Sequence, residues 1–350
     1  MKDETKDKII KILGNVVLPV GGYLASIKIY NTIFKRLERP DYSIYPGLYN
    51  YQRIKSFLPR KELTFISKGE RLEAYYYEAD NPKGLVVLVH GFHSGSDDYL
   101  PITMYLVKNG YNVFSYDGCG TYGSTGDSFK GFSQGIVDLD YALKFIKNNK
   151  FLKKQKLFLL GHSCGGFAVN AVLNIYKKGI SGVASIAAVN NCYKLLIDKG
   201  DEYAGEIAST GFPADFLDSH QKKIFGKYIK YTALDGVNSV NIPIFIAHGD
   251  SDETISYELQ SLISHKDEII NPNVTYLTTT GNQGGHTSIW HSKRSNDYQE
   301  IVDQEIKRMK KDKLDNQEIA KYVMSVDNYL YSEINFGLFD KIISMFDKAK

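Results

Sequence analysis

Lys156-Leu157-Phe158-Leu159-Leu160-Gly161-His162-Ser163-Cys164-Gly165-Gly166-Phe167-Ala168-Val169-Asn170-Ala171-Val172 changes character twice within seventeen residues. Lys156–Leu160 is a continuous apolar run after its first residue, as expected of a strand buried on both faces. Phe167–Val172 has helical character. The pattern Gly-X-Ser-X-Gly lies between them. A strand, a sharp turn and a helix in that order lift a serine hydroxyl clear of a sheet. Gly161 and Gly165 let the backbone turn tightly and pack against its neighbours. Ser163 is therefore the candidate nucleophile.

The five-residue pattern is weak evidence alone, because this chain contains it twice. The second copy is Gly131-Phe132-Ser133-Gln134-Gly135. It follows the polar loop Gly123–Lys130 and has no strand in front of it. Ser133 reads instead as an N-cap for the helix pattern of Phe132–Asn149.

Beyond residue 60, short apolar runs alternate with helical patterns, which predicts an α/β fold with a mostly parallel central sheet flanked by helices. Leu63–Ser67 and Ala74–Glu78, joined across Lys68-Gly69, read as an opening hairpin. Leu85–Val89, Asn112–Tyr116, Val183–Ala188, Pro243–Ala247 and Val274–Thr278 read as the other strands, and Leu338–Met345 as a closing helix. About 50 residues separate the strand ending near Asn190 from that beginning at Pro243, far more than an ordinary connection. Residues 193–235 are read as a small helical cap over the carboxyl edge of the sheet, where open α/β folds bind ligands. Residues 294–331 are read as a charged helical insertion. The expected organisation is an apolar, helical extension over 1–60 and one domain over 61–350.

A serine hydroxyl needs a base to take its proton and an acid to orient that base. After the strand at Pro243–Ala247 comes His248-Gly249-Asp250-Ser251-Asp252-Glu253. Asp252 is the preferred acid, with Asp250 as the alternative. After Val274–Thr278 comes Gly281-Asn282-Gln283-Gly284-Gly285-His286, and His286 is the candidate base. Each follows its own strand, in the order serine, acid, histidine. The expected oxyanion donors are the backbone N–H of Cys164, directly after the nucleophile, and that of Phe92, in the loop after Leu85–Val89.

Taken together, His90-Gly91-Phe92, Asp117-Gly118-Cys119-Gly120 with Gly123-Ser124-Thr125-Gly126, Gly161–Gly166, His248–Asp252 and Gly285-His286 resemble the α/β-hydrolase superfamily. The similarity is to the bacterial lysophospholipase, monoacylglycerol lipase and serine aminopeptidase-like group. It covers about residues 60 to 292 and the final helix. The resemblance implies carboxylic-ester or, less often, amide hydrolysis, with no metal or organic cofactor. The first 60 residues and 294–331 depart from it.

Composition narrows the partners. The 43 basic and 40 acidic residues give a net charge of +3, which offers no electrostatic reason to expect nucleic acid. The three cysteines, Cys119, Cys164 and Cys192, form no CxxC pair and read as reduced thiols. A capped site and an apolar N-terminal segment favour a small ester or lipid-like substrate. Peptidase action is the alternative, with Asp201, Glu202 and Glu206 as candidate ligands for a free amino group. A non-catalytic binding protein of the same fold is a third reading. Residues 9–34 are rich in apolar side chains, but Pro19, Gly21-Gly22 and Lys28 break them. Only 16 residues separate Lys11 from Lys28, short of the ~20 a bilayer-spanning helix needs. The expectation is a cytoplasmic protein whose first 35 residues form short helices near the active-site mouth. Peripheral membrane contact through residues 9–34 is the alternative.

Overall fold

Eight strands form one sheet in a computed structural model that describes residues 27–28, 30–196 and 212–349. They are β1 (Arg60–Ser67), β2 (Glu70–Tyr77), β3 (Gly84–Val89), β4 (Tyr111–Tyr116), β5 (Leu157–His162), β6 (Gly182–Ile186), β7 (Ile244–Gly249) and β8 (Val274–Thr279). Their spatial order is β1-β2-β4-β3-β5-β6-β7-β8. β2 runs antiparallel to both β1 and β4, and every other pairing is parallel. The hairpin turns at Lys68 and Gly69, both at positive φ, the two-residue geometry that matches strand twist.

The sheet is covered on both faces, which is why its central strands read as unbroken apolar runs. In β3, Leu85, Val87 and Val89 join one core while Val86 and Leu88 join the other. That alternation is the period-two geometry of a strand. Helices α1 (Leu100–Lys108) and α8 (Phe336–Lys348) pack on one face. Helices α2 (Gln134–Asn148), α3 (Cys164–Ala171) and α5 (Ala233–Asn238) pack on the other. Helix α4 (Phe212–Phe225) and a helical turn at 192–196 lie in the stretch read as a cap. Residues 197–211, including Asp201, Glu202 and Glu206, lie outside the described residues, as do residues 1–26 of the N-terminal segment.

The charged excursion after β8 is helical, with α6 (Lys293–Lys311) and α7 (Asn316–Ser325). Val302, Ile306, Met309, Ile319 and Val323 give it a small core of its own. Among the described residues no helix is long and apolar enough to cross a membrane.

The end of the N-terminal segment is threaded over the carboxyl edge of the sheet. Backbone at 30–33 is helical, and Phe34 packs its ring 5.4 Å from that of Phe92 and 5.0 Å from that of Phe132. Arg36 donates to the carbonyl oxygens of Tyr122, Ser124 and Gly126. Arg39 pairs with buried Asp97 and Asp117.

Candidate active site

β5 delivers Ser163 at its carboxyl end, and α3 begins one residue later. Ser163 has φ 57° and ψ −123°, a conformation that costs a non-glycine residue of order 1–3 kcal/mol. The strain is held from both sides. The Ser163 N–H donates to the Ile186 carbonyl oxygen at 2.9 Å, and its own carbonyl accepts the Phe167 N–H at 2.9 Å. Nothing larger than glycine fits at 165, where a β-carbon would meet the Val89 carbonyl oxygen at 2.2 Å.

Ser133 sits differently. Its φ of −75° and ψ of −3° are helical, and it stands at the N-cap position of α2 without a side-chain capping bond. The expected cap is therefore right in position and wrong in mechanism. A residue already in helical conformation and buried does not turn its hydroxyl back to the free amides.

The structure brings three separated residues into one line. Ser163 Oγ lies 2.9 Å from His286 Nε2, and His286 Nδ1 lies 2.8 Å from Asp252 Oδ2. All three side chains are buried. A carboxylate only accepts, so Nδ1 carries the proton and the Nε2 lone pair faces the serine hydroxyl. Asp252 Oδ1 accepts the backbone N–H groups of Thr254 at 2.9 Å and Ile255 at 2.8 Å. Burial alone would raise the pKa of Asp252. Hydrogen bonds from His248 and His286 outweigh that and hold it well below the usual carboxylate range. Asp250 is exposed, and no hydrogen bond among the described residues joins its side chain to His286.

The loop after β3 passes against Ser163. A β-carbon on Gly91 would stand 3.2 Å from Ser163 Cβ. The Gly91 carbonyl oxygen accepts from His90 Nδ1 at 2.7 Å and from Ser94 Oγ at 2.9 Å. A planar trans peptide points its N–H opposite its C=O, so these two bonds also set the direction of the Phe92 N–H. Among the described residues, the amides of Phe92 and Cys164 donate to no protein acceptor.

Sequence reasoning gave no role to two further buried groups here. The Gly91 N–H donates to the Tyr99 hydroxyl at 3.0 Å, which lies 2.8 Å from His162 Nδ1. His162 Nε2 lies 2.9 Å from the His286 carbonyl oxygen. That carbonyl can only accept, so His162 donates from Nε2 and accepts the Tyr99 proton at Nδ1. Burial holds the His162 pKa down at about 3, and the ring stays neutral. For His162 the signal available in the sequence was a polar residue inside the glycine motif, which local patterning cannot tell from turn filler, and Tyr99 lies outside every motif. All three cysteines are buried free thiols.

This arrangement can deprotonate a hydroxyl at a strained turn and hold the resulting imidazolium beside a carboxylate. Residues 80–214 match the family model described as "Serine aminopeptidase, S33". The chain is 24% identical over 210 residues to the uncharacterized protein YfhR of Escherichia coli O157:H7, spanning 57% of this chain and 65% of that relative's length. Its fold is similar to that of the Pyrococcus furiosus esterase Pf2001, with a TM-score of 0.53 at 20% identity over 79% of this chain and 97% of that one. A second crystal form of that esterase gives a TM-score of 0.52 at 17% identity, over 83% and 99% of the two chains. In its sheet order and its strained serine turn the chain has an α/β fold similar to that of this esterase, and residues 80–214 carry the likeness to the serine aminopeptidase S33 family.

Proposed function

We propose that this chain is a serine hydrolase that cleaves carboxylic esters of an acyl or lipid-like kind. The observation that carries the reading is the unbroken contact Ser163–His286–Asp252, with Ser163 at positive φ. Ser163 Oγ bonds to the ester carbonyl carbon as its proton passes to His286 Nε2. The amides of Phe92 and Cys164 face the developing oxyanion and stabilise it. The carbon–oxygen bond to the alcohol then breaks, and His286 returns the proton to that oxygen. Water attacks the acyl-enzyme carbonyl carbon as its proton passes to His286, and His286 gives that proton to Ser163 Oγ as the acyl–oxygen bond breaks, freeing the acid and the serine. Asp252 stays ionised throughout and stabilises the imidazolium. No step needs a metal or an organic cofactor.

The aromatic side chains of Phe34, Phe92, Phe129 and Phe132 lie beside the proposed oxyanion loop and favour an apolar acyl group. The S33 aminopeptidase match favours amide hydrolysis as the second reading. A panel of p-nitrophenyl esters of graded chain length, run beside aminoacyl amides, separates the two. Ester turnover with little amide turnover supports the first reading, and the reverse supports the second. A fluorophosphonate that fails to label Ser163 would reject both and leave a binding protein.

A further inference from the structure

His248 is the penultimate residue of β7 and is fully buried. Its Nε2 lies 3.0 Å from Asp252 Oδ2 and 3.1 Å from the Ile255 carbonyl oxygen. Its Nδ1 is buried and has no hydrogen-bond partner among the described residues. With two acceptors facing Nε2, the ring donates from Nε2. A buried, unpaired ring nitrogen is a standing cost that an apolar residue of the same size would avoid. The ring's other nitrogen must therefore give something in return, and what it touches is the oxygen that receives His286 Nδ1.

The geometry points to His248 as a positioning residue for the acid of the triad, an inference that rests on the Ser163–His286–Asp252 reading. Asp252 Oδ1 is pinned by the Thr254 and Ile255 amides, which leaves Oδ2 to be fixed. A carboxylate oxygen offers two in-plane lone pairs. His248 takes one, so His286 is directed onto the other. The same N–H also reaches the Ile255 carbonyl, while the Ile255 amide holds Oδ1. Side chain and backbone of the 252–255 turn are thus tied to one imidazole. Tyr257 seats that imidazole from outside, ring edge to ring at 5.8 Å, with its hydroxyl 2.8 Å from Thr278 Oγ1.

Three variants separate positioning from packing. A glutamine amide reaches the place of Nε2, an asparagine amide only that of Nδ1, and leucine fills space alone. Ester kinetics are measured per active site, counted by end-point fluorophosphonate labelling, so that a smaller folded fraction does not register. His248→Asn and His248→Leu are expected to lower kcat about tenfold or more, with KM unchanged, as a hydrogen bond to a charged group is lost. His248→Gln is expected to recover most of that. In an Asp252→Asn background the same substitutions are expected to add little, since His248 acts through Asp252. Wild-type kcat in His248→Leu would overturn the inference. So would a glutamine variant as poor as leucine, or losses that multiply in the Asp252→Asn background. Full activity in Asp252→Asn alone would instead reject the triad reading beneath it.

Discussion

A β-carbon on Gly249 would lie 2.0 Å from the carbonyl oxygen of Gly284, so the backbones of the loops that carry Asp252 and His286 touch. Ser251 N–H donates to that same Gly284 oxygen at 3.0 Å, and Asp250 N–H donates to the Thr279 oxygen at 3.0 Å. Asp252 and His286, 34 residues apart in sequence, meet because these two loops are fastened edge to edge. Gly249→Ala is expected to push them apart. Since the obstacle is backbone, it cannot rotate away. Ester kcat should fall about tenfold or more, because a misplacement near 1 Å can cost a hundredfold. Steady-state kinetics with a thermal melt checks this, and unchanged kcat would show that the loop contact does not set the Asp252–His286 geometry.

Ser163→Ala is expected to abolish nearly all turnover, with a loss of up to ~10⁶-fold in kcat. Ser133→Ala, in the second copy of the motif, should leave kcat essentially intact, because Ser133 is a buried helix-start residue. Parallel assays of the two variants decide between the copies. A reversed outcome would move the nucleophile.

Asp252→Asn should keep the fold and strand the imidazole in the wrong tautomer, at a cost of roughly 10⁴-fold in kcat. Asp250→Asn should cost much less, since its side chain is exposed and away from His286. The pair is read by kinetics on one soluble ester. Activity kept at 252 and lost at 250 would reassign the acid.

Arg39 bridges Asp97 and Asp117, two buried carboxylates in the loops after β3 and β4, and lies over the Tyr122 ring at 4.9 Å. Arg39→Met should leave Asp117 without a cation and lower the unfolding free energy by about 2 kcal/mol. That value is discounted from the cost of breaking a fully buried pair because Arg39 is partly open to solvent. Denaturant titration measures it. A variant as stable as the parent would show that residues 30–39 rest on the domain without holding it.

His162 and His291 are buried neutral, with pKa values pushed down by burial to about 3 and about 4. The unfolded chain binds protons at both near pH 6.5, while the folded chain does not. Stability should therefore fall as the pH drops below about 6.5, by about 1.4 kcal/mol per pH unit for each histidine, until the folded values are reached. Asp98, Asp117 and Asp138, whose carboxyls burial pushes up, act in the opposite sense. Comparing His291→Gln with the parent isolates one histidine, because the acids are common to both. A shallower loss of stability between pH 6.5 and 4 is expected in the variant, and identical slopes would contradict it.

What the sequence determined by itself was whatever is written locally. The buried strands at Leu85–Val89 and Leu157–Leu160 were legible because the centre of a strand covered on both faces is apolar without interruption. The hairpin at Lys68-Gly69 was legible from its turn residues, and Ser163 from the strand before it and the helix after it. That Ser163, Asp252 and His286 each trail a strand was legible in the same way. Local pattern could place Ser133 at a helix start, but not tell that its hydroxyl leaves the cap unmade. The tertiary structure alone put Asp252 on His286 with Asp250 turned to solvent, and joined Tyr99 to His162 and His248 to Asp252. It alone drew Arg39 into a pair with Asp97 and Asp117. Each of these depends on where a side chain points relative to a loop from another part of the chain. That direction is set by the register of neighbouring strands and by backbones meeting at glycines, as at Gly249 and Gly284, and no single stretch of sequence contains it.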